Sequence, residues 1–423
     1  MEGQEQTTIP WSCLTRFAFR FALVYFIVYL LPFPLDEIPK LEVVTERYSE
    51  LWQKAVPWVG RNILRLQNDI TKFPGGSGDT TFHYVQLPCF FAIALVAAAL
   101  WSLLDRNRLA YPRLYDWLRI YIRFSLGLTM FSYGIVKVMG TQFSYPDLDR
   151  FIQPMGHFSP VSLLWTFMGV SPAYCFFAGL AECLGGLLLL WRRTTTIGAL
   201  IVAGVMANVV MLNFCYDVPV KLYSAHLLLL SLFLLLPDFR RLTDFFFLNR
   251  PTVPSPLGRP FANKWLNRAA LVVKIAFVGW SVAFAVKDEI EAEAPVPALY
   301  GLYEVEFFST SNPAGASKTK DENRWRRMVI NRSDRLAVQL MDDSLKRYVV
   351  KDIPDEGKLE LTLRWEPEKK SVLTYRKQDE YRLTLEGDFF GENLQILVRR
   401  IPNPQFLLPT RGFHWINERP FNR

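Results

Sequence analysis

Between Arg123 and Leu236 the chain alternates four apolar, helix-length runs with a few lone polar residues: Lys137, Glu182, Asn208, Asn213 and His226. The hydrocarbon core of a bilayer is about 30 Å thick, which a helix crosses in roughly 20 residues. A charged group inside that core is costly unless it is paired or wetted, so each of these residues is a functional suspect. The pattern predicts a helical membrane domain with a polar interior.

Three further apolar runs bring the expected spans to seven: Cys13–Leu31, Leu87–Leu104, Ile120–Met139, Pro172–Trp191, Thr196–Cys215, Val218–Leu236 and Ala269–Val286. At 51% hydrophobic and 15% aromatic residues over 423, the chain carries more apolar matter than one soluble domain needs to bury. The first run lacks a small-x-small cleavage site and ends in Leu31-Pro-Phe-Pro34, so it is read as an uncleaved span rather than a secretion signal.

A net charge of +8 raises nucleic acid as a partner, but the basic residues sort by side instead. Arg16, Arg20, Arg106, Arg108, Arg113, Arg119, Arg192, Arg193 and the run from Arg240 to Arg268 fall on one side if the spans alternate; the short segments opposite carry Arg150 and Lys221. The positive-inside rule then predicts a cytoplasmic N-terminus and an external C-terminus, with the lipid bilayer and no nucleic acid as partner. Cys13, Cys89, Cys175, Cys183 and Cys215 show neither CxxC nor metal-ligand spacing, and no metal site is expected.

From Tyr300 onward the periodicity changes from helical to alternating. Leu302–Phe308, Arg327–Ile330, Leu336–Leu340, Arg347–Val350, Leu359–Trp365, Ser371–Tyr375, Tyr381–Leu385 and Leu394–Val398 read as about eight antiparallel strands, a small meander barrel or sandwich. Met341-Asp-Asp-Ser and Glu366-Pro-Glu-Lys-Lys read as turns, and the aromatic tail from Phe406 as a segment that packs back on the protein. The fold class is therefore an α-helical polytopic membrane domain followed by a C-terminal antiparallel all-β domain. Its expected divisions are spans one and two with an outer loop (1–117), a four-helix core (118–237), a proline-rich cytoplasmic linker (238–268), a seventh span (269–288) and an extracytoplasmic β domain with tail (289–423). Within the outer loop, Leu41 to Val59 has the spacing of an amphipathic surface helix.

Helical spacing draws one stripe through Arg123, Gly127, Met130, Gly134 and Lys137, and another through Cys175, Gly179, Glu182 and Gly186. Small residues beside a charge are what a close helix crossing requires, so Lys137 and Glu182 are expected to be neighbours. Asn208, Asn213, Asp217 and His226 gather toward the outer half of the membrane. Beneath the run Pro74-Gly-Gly-Ser-Gly-Asp-Thr-Thr81 they form either an outward cavity or a set of structural hydrogen bonds. The Asp79, Thr80 and Thr81 oxygens are read either as a turn with a helix N-cap or as a ligand-contacting loop.

At these residues the chain resembles the DoxX family of small four-helix membrane proteins, through Arg123-x3-Gly127-x6-Gly134-x2-Lys137 and Gly179-x2-Glu182-x2-Gly185-Gly186-Leu187, over roughly 118–237. The glycine loop and the Arg411-to-Arg423 segment resemble a longer bacterial branch of the same family. The resemblance implies a bacterial inner membrane and a link to thiosulfate:quinone oxidoreduction, quinol oxidase accessory subunits or oxidative-stress complexes. It supplies no redox cofactor motif, and the three extra spans and the β domain depart from it.

Two functions of different kind fit. In the first, a quinone or other lipophilic ligand occupies the Lys137/Glu182 site, where the pair exchanges a proton with it and a periplasmic or membrane redox protein takes the electrons. Arg123, Tyr133, Asn208, Asn213, Asp217 and His226, with Asp79, Thr80 and Thr81, are the candidate ligand contacts. In the second, the protein is a non-enzymatic scaffold or assembly factor whose β domain binds a periplasmic partner. A third, small-solute transport along Lys137, Glu182 and Asp217, lacks a clear inverted repeat.

Overall fold

The computed structural model describes residues 10–35, 41–70, 76–254, 263–292, 296–311, 323–332, 334–353, 356–364 and 366–422. Pro74 and Gly75 of the glycine loop, the 255–262 part of the proline-rich linker and Trp365 lie outside them. The chain divides into two compact units, Met1–Val138 with Phe177–Ala283, and Met139–Phe176 with Phe284–Arg423. Residues 139–176, which the sequence reading kept inside the four-helix core, thus group with the β domain.

The helices that lie wholly or mostly in the first unit are α1 (Cys13–Leu30), α2 (Glu42–Asn62), α3 (Thr81–Leu104) and α4 (Pro112–Val138), followed after two short helices by α7 (Pro172–Leu189), α8 (Thr195–Cys215), α9 (Lys221–Leu235), α10 (Phe239–Phe246) and α11 (Lys264–Ala292). The short pair, α5 (Leu148–Ile152) and α6 (Pro160–Gly169), belongs to the second unit. Among the described residues five helices are long and apolar enough to cross a membrane: Cys13–Leu30, Thr81–Leu104, Pro172–Leu189, Arg192–Cys215 and Lys221–Phe246. The other two expected spans fall in α4 and α11, continuous helices of 27 and 29 residues.

Local chemistry sets the boundaries. Ser12 Oγ accepts the Thr15 amide at 3.1 Å to start α1, and Pro32 follows directly on its C-cap Leu31. The antiparallel return of the chain brings Trp11 N to Leu109 O at 3.0 Å, so the start of α1 meets the end of α3. There Arg20, buried in α1, donates to the Tyr111 hydroxyl, Ser102 Oγ and the Asp105 carbonyl, while Tyr111 donates to the Asp105 carboxylate. A guanidinium that spends its donors this way is a structural clamp. Phe19 and Phe26 of α1 join Ile122, Leu126 and Met130 of α4, Val202 and Met206 of α8, and Leu227 and Leu230 of α9 in one core. The amphipathic α2 buries Trp52 and Val56 against Phe82, Val85 and Phe90 of α3.

The second unit holds a closed eight-stranded meander barrel: β1 (Gly301–Ser311), β2 (Trp325–Ile330), β3 (Arg335–Leu340), β4 (Leu345–Ile353), β5 (Lys358–Leu363), β6 (Glu366–Lys377), β7 (Arg382–Phe389) and β8 (Glu392–Arg400). Each strand pairs antiparallel with its neighbour, and β1 pairs with β8 to close it, which removes exposed strand edges. Alternating side chains such as Met328, Leu336, Leu361, Leu385 and Ile396 fill the interior as a packed core. Glu366–Lys370, read from sequence as a turn, is instead the start of β6; a register shift beside Leu363 lets Leu363 pair with Glu366, and the charged run lies along the solvent face.

A second apolar cluster lies on the barrel's outer wall, where Leu302, Val329 and Ala337 pack with Ile152 and Leu148 of α5 and with Phe406. After the short α12 (Leu407–Thr410) the tail folds on itself: Arg411 stands 4.5 Å from the Phe421 ring centre and bonds Asn417. Phe413, Trp415 and Ile416, expected to pack back on the protein, are 77–91% exposed.

Candidate functional site

The glycine stripes meet. A Cβ built on Gly134 would lie 2.6 Å from Cys183 N, one on Gly179 would lie 2.6 Å from the Gly134 carbonyl, and one on Gly186 would lie 2.6 Å from the Gly127 carbonyl. These distances require bare backbone on both helices, so α4 and α7 cross main chain against main chain. One helical turn beyond the crossing, Lys137 Nζ donates to Glu182 Oε1 at 2.6 Å and Oε2 at 2.5 Å. The side chains are 10% and 4% exposed, so this is a full ion pair in apolar surroundings.

Tyrosines pair on the same group of helices. The Tyr133 ring centre is 6.2 Å from that of Tyr223. Elsewhere, Tyr29 stacks on His226 with ring centres 4.1 Å apart. His226 Nδ1 meets the Leu222 carbonyl at 2.7 Å and must donate to it. In the neutral ring Nε2 is then the acceptor for the Tyr25 hydroxyl, also at 2.7 Å. The structure thus brings Lys137 and Glu182 together, sets Tyr133 by Tyr223, and puts His226 between Tyr25 and Tyr29; Tyr25, Tyr29 and Tyr223 are residues that sequence reading missed. The signal available was weak, since tyrosines inside apolar runs are ordinary membrane residues.

The remaining candidates divide among other places. Asp79 accepts the Lys221 and Leu222 amides at 2.7 and 3.0 Å, which makes it the cap of α9 rather than of the adjacent α3. Lys221 Nζ reaches Asp217 at 2.7 Å and Asp79 at 3.9 Å, so these three form a charged knot at the α8–α9 turn. Thr80 Oγ1 lies 2.8 Å from His83 Nδ1, and Thr81 is exposed. Asn213 is buried near the end of α8, its Nδ2 without a hydrogen-bond partner among the described residues, while Asn208 is exposed. Arg123 is buried 14 residues before Lys137 on α4, about 21 Å away along the helix, and stands apart from the ion pair.

Fold and site together define a polytopic helical membrane protein with a paired acid and base between two helices and a C-terminal β barrel. Over 126 residues, 29% of this chain, it is 33% identical to the "Uncharacterized protein YwoB" of Bacillus subtilis (strain 168), covering 79% of that protein. The chain belongs to the same family as that protein. No family model and no solved structure matches it.

Proposed function

We propose that this protein spans the bacterial inner membrane seven times, with its N-terminus cytoplasmic and its barrel periplasmic. In this reading it is a DoxX-like protein that holds a quinone or similar lipophilic molecule at Lys137 and Glu182. The observation that carries the reading is the Lys137–Glu182 pair buried between α4 and α7. A quinone carbonyl accepts a hydrogen bond from the Lys137 ammonium, and Glu182 takes a proton from a quinol hydroxyl as the electrons leave to a redox partner. The two further spans are α4 and α11, continuous helices each about 40 Å long or more.

The test is mass spectrometry of lipophilic molecules extracted from protein purified in mild detergent, comparing wild type with Glu182→Gln and with the doubly neutral Lys137→Met/Glu182→Leu. A quinone kept by wild type and lost from a folded variant is the expected result; the same quinone retained by all three overturns the assignment. The scaffold reading is supported by the exposed Phe413, Trp415 and Ile416, and it requires function to disappear when residues 298–423 are removed.

A further inference from the structure

The outer wall of the barrel changes character over four neighbouring strands. Elsewhere on it charged side chains pair across strands, as Glu304 does with Arg399 at 3.2 Å, Glu306 with Arg382 at 3.1 Å and Glu360 with Lys370 at 2.6 Å. From β6 through β7 and β8 to β1 the register instead sets two rows side by side: Arg376, Thr384, Leu397 and Phe307 in one, Thr374, Glu386 and Gln395 in the next. Residues two apart on a strand share a face, and the alternate residues Leu373, Leu385 and Ile396 fill the barrel core, so both rows stand on the outer side. Together the rows line a cavity of about 340 Å³ in which Phe307 is 51% exposed. That volume lies within the range of about 300–1,000 Å³ common to small-molecule sites.

Phe307 and Leu397 give the cavity an apolar end, and hydroxyl and amide groups give it a polar one. Gln395 Nε2 donates to Glu386 Oε1 at 2.9 Å, and Gln378 Nε2 donates to Thr384 Oγ1 at 2.8 Å. The second Glu386 oxygen and the Gln395 amide oxygen are left as acceptors, and the Thr384 hydroxyl is left as a donor. Thr374 and Arg376 spend no side-chain hydrogen bond on the described residues and add further donors. One carboxylate and one guanidinium balance, so the cavity has no net charge with which to select an ion. Nor does it suit an added peptide strand, because β1 closes on β8 and leaves no unpaired edge there.

We propose that this cavity binds a pyranose ring of an uncharged saccharide. Such a ring carries hydroxyls that both donate and accept around its rim and bare C–H groups on its faces. The negative face of an aromatic ring attracts those C–H groups, so Phe307 and Leu397 cover one face of the sugar. Glu386 and Gln395 then accept from its hydroxyls while Thr374, Thr384 and Arg376 donate to them. This site is separate from the Lys137–Glu182 pair and does not depend on the ligand proposed there.

The full chain in phosphatidylcholine nanodiscs, free of sugar-headed detergent, is titrated with uncharged trisaccharides of glucose, of mannose and of N-acetylglucosamine, read by calorimetry and saturation-transfer NMR. Binding of at least one is expected, with transfer strongest at the C–H protons of one ring face. Phe307→Ala and Glu386→Gln are each expected to weaken that binding about tenfold, the loss of one good contact. Both residues are exposed on the wall, so the thermal midpoint should stay near that of wild type. No binding of any of the three trisaccharides overturns the proposal, and so does binding that survives both substitutions. A galacturonate trimer bound in preference to the uncharged ones overturns it too, assigning the cavity to an anion held by Arg376.

Discussion

Asp149 and Arg347 form an ion pair at 2.7 Å, with the Asp149 carboxylate buried and the residues 198 positions apart in the chain. The second carboxylate oxygen accepts from Asn331 Nδ2 at 3.1 Å, Arg347 also reaches Gln153, and Gln339 Nε2 bonds the Ile152 carbonyl. Each hydrogen bond joins the segment that bears α5 to β3, to β4 or to Asn331 just past the end of β2. Replacing Asp149 by Ala leaves Asn331 and Arg347 short of an acceptor at a largely dry surface, a loss of about 1–3 kcal/mol. Limited proteolysis is expected to cut 139–176 faster in Asp149→Ala, with Asp149→Ala/Arg347→Ala no worse than the single variant. Equal cleavage of wild type and Asp149→Ala would contradict this docking role.

The α4–α7 crossing makes a sharp steric prediction. Gly134→Ala and Gly179→Ala place a methyl within 2.8 Å of backbone atoms on the opposing helix, which cannot give way as a side-chain tip can. Each is expected to cost about 1–3 kcal/mol and to lower the thermal midpoint in detergent. Gly204→Ala on α8 meets nothing within 4 Å and should be neutral or stabilising, since alanine favours a helix interior over glycine. If Gly134→Ala and Gly204→Ala melt alike, the close crossing is wrong.

What the sequence disclosed follows from how local each signal is. The barrel strands alternate along single segments, so all eight were legible; their closure through β1 and β8 was not, because Val305 and Val398 pair across 93 positions that no periodicity links. The glycine stripes put Lys137 and Glu182 on facing helices because a short i, i+3, i+4 repeat marks a face. Asp79 reads locally as a cap for α3, yet its carboxylate serves Lys221, 142 residues on. Asp149 gave no signal, being one acid in a short polar stretch whose partners are all distant.

Tyr348 offers a pH test of the barrel interior. Its ring packs on Phe389 and Phe390, and burial pushes the phenol up to about 12. The folded state therefore binds this proton more tightly than the unfolded chain, whose tyrosines titrate near about 10. Its contribution is complete below about pH 10 and is lost as pH rises through about 12. The phenolate absorbance difference between wild type and Tyr348→Phe should titrate in that upper range; a difference titrating near pH 10 would show a solvated hydroxyl.

Lys137 and Glu182 can be separated into structure and chemistry by removing charge in two ways. Glu182→Gln leaves the Lys137 ammonium without its carboxylate in a dry contact, and loss of one partner from such a pair costs roughly 3–5 kcal/mol. Lys137→Met/Glu182→Leu removes both charges and keeps the volume, so its thermal midpoint should return to within a few degrees of wild type. If the pair only holds α4 to α7, function returns with that stability. If it handles a ligand proton, the double variant stays folded and inactive and no longer retains the lipophilic molecule. That second outcome is expected here, because the bare-backbone glycine crossing already packs α4 on α7, so a charged pair buried beside it is not required to hold the two helices together.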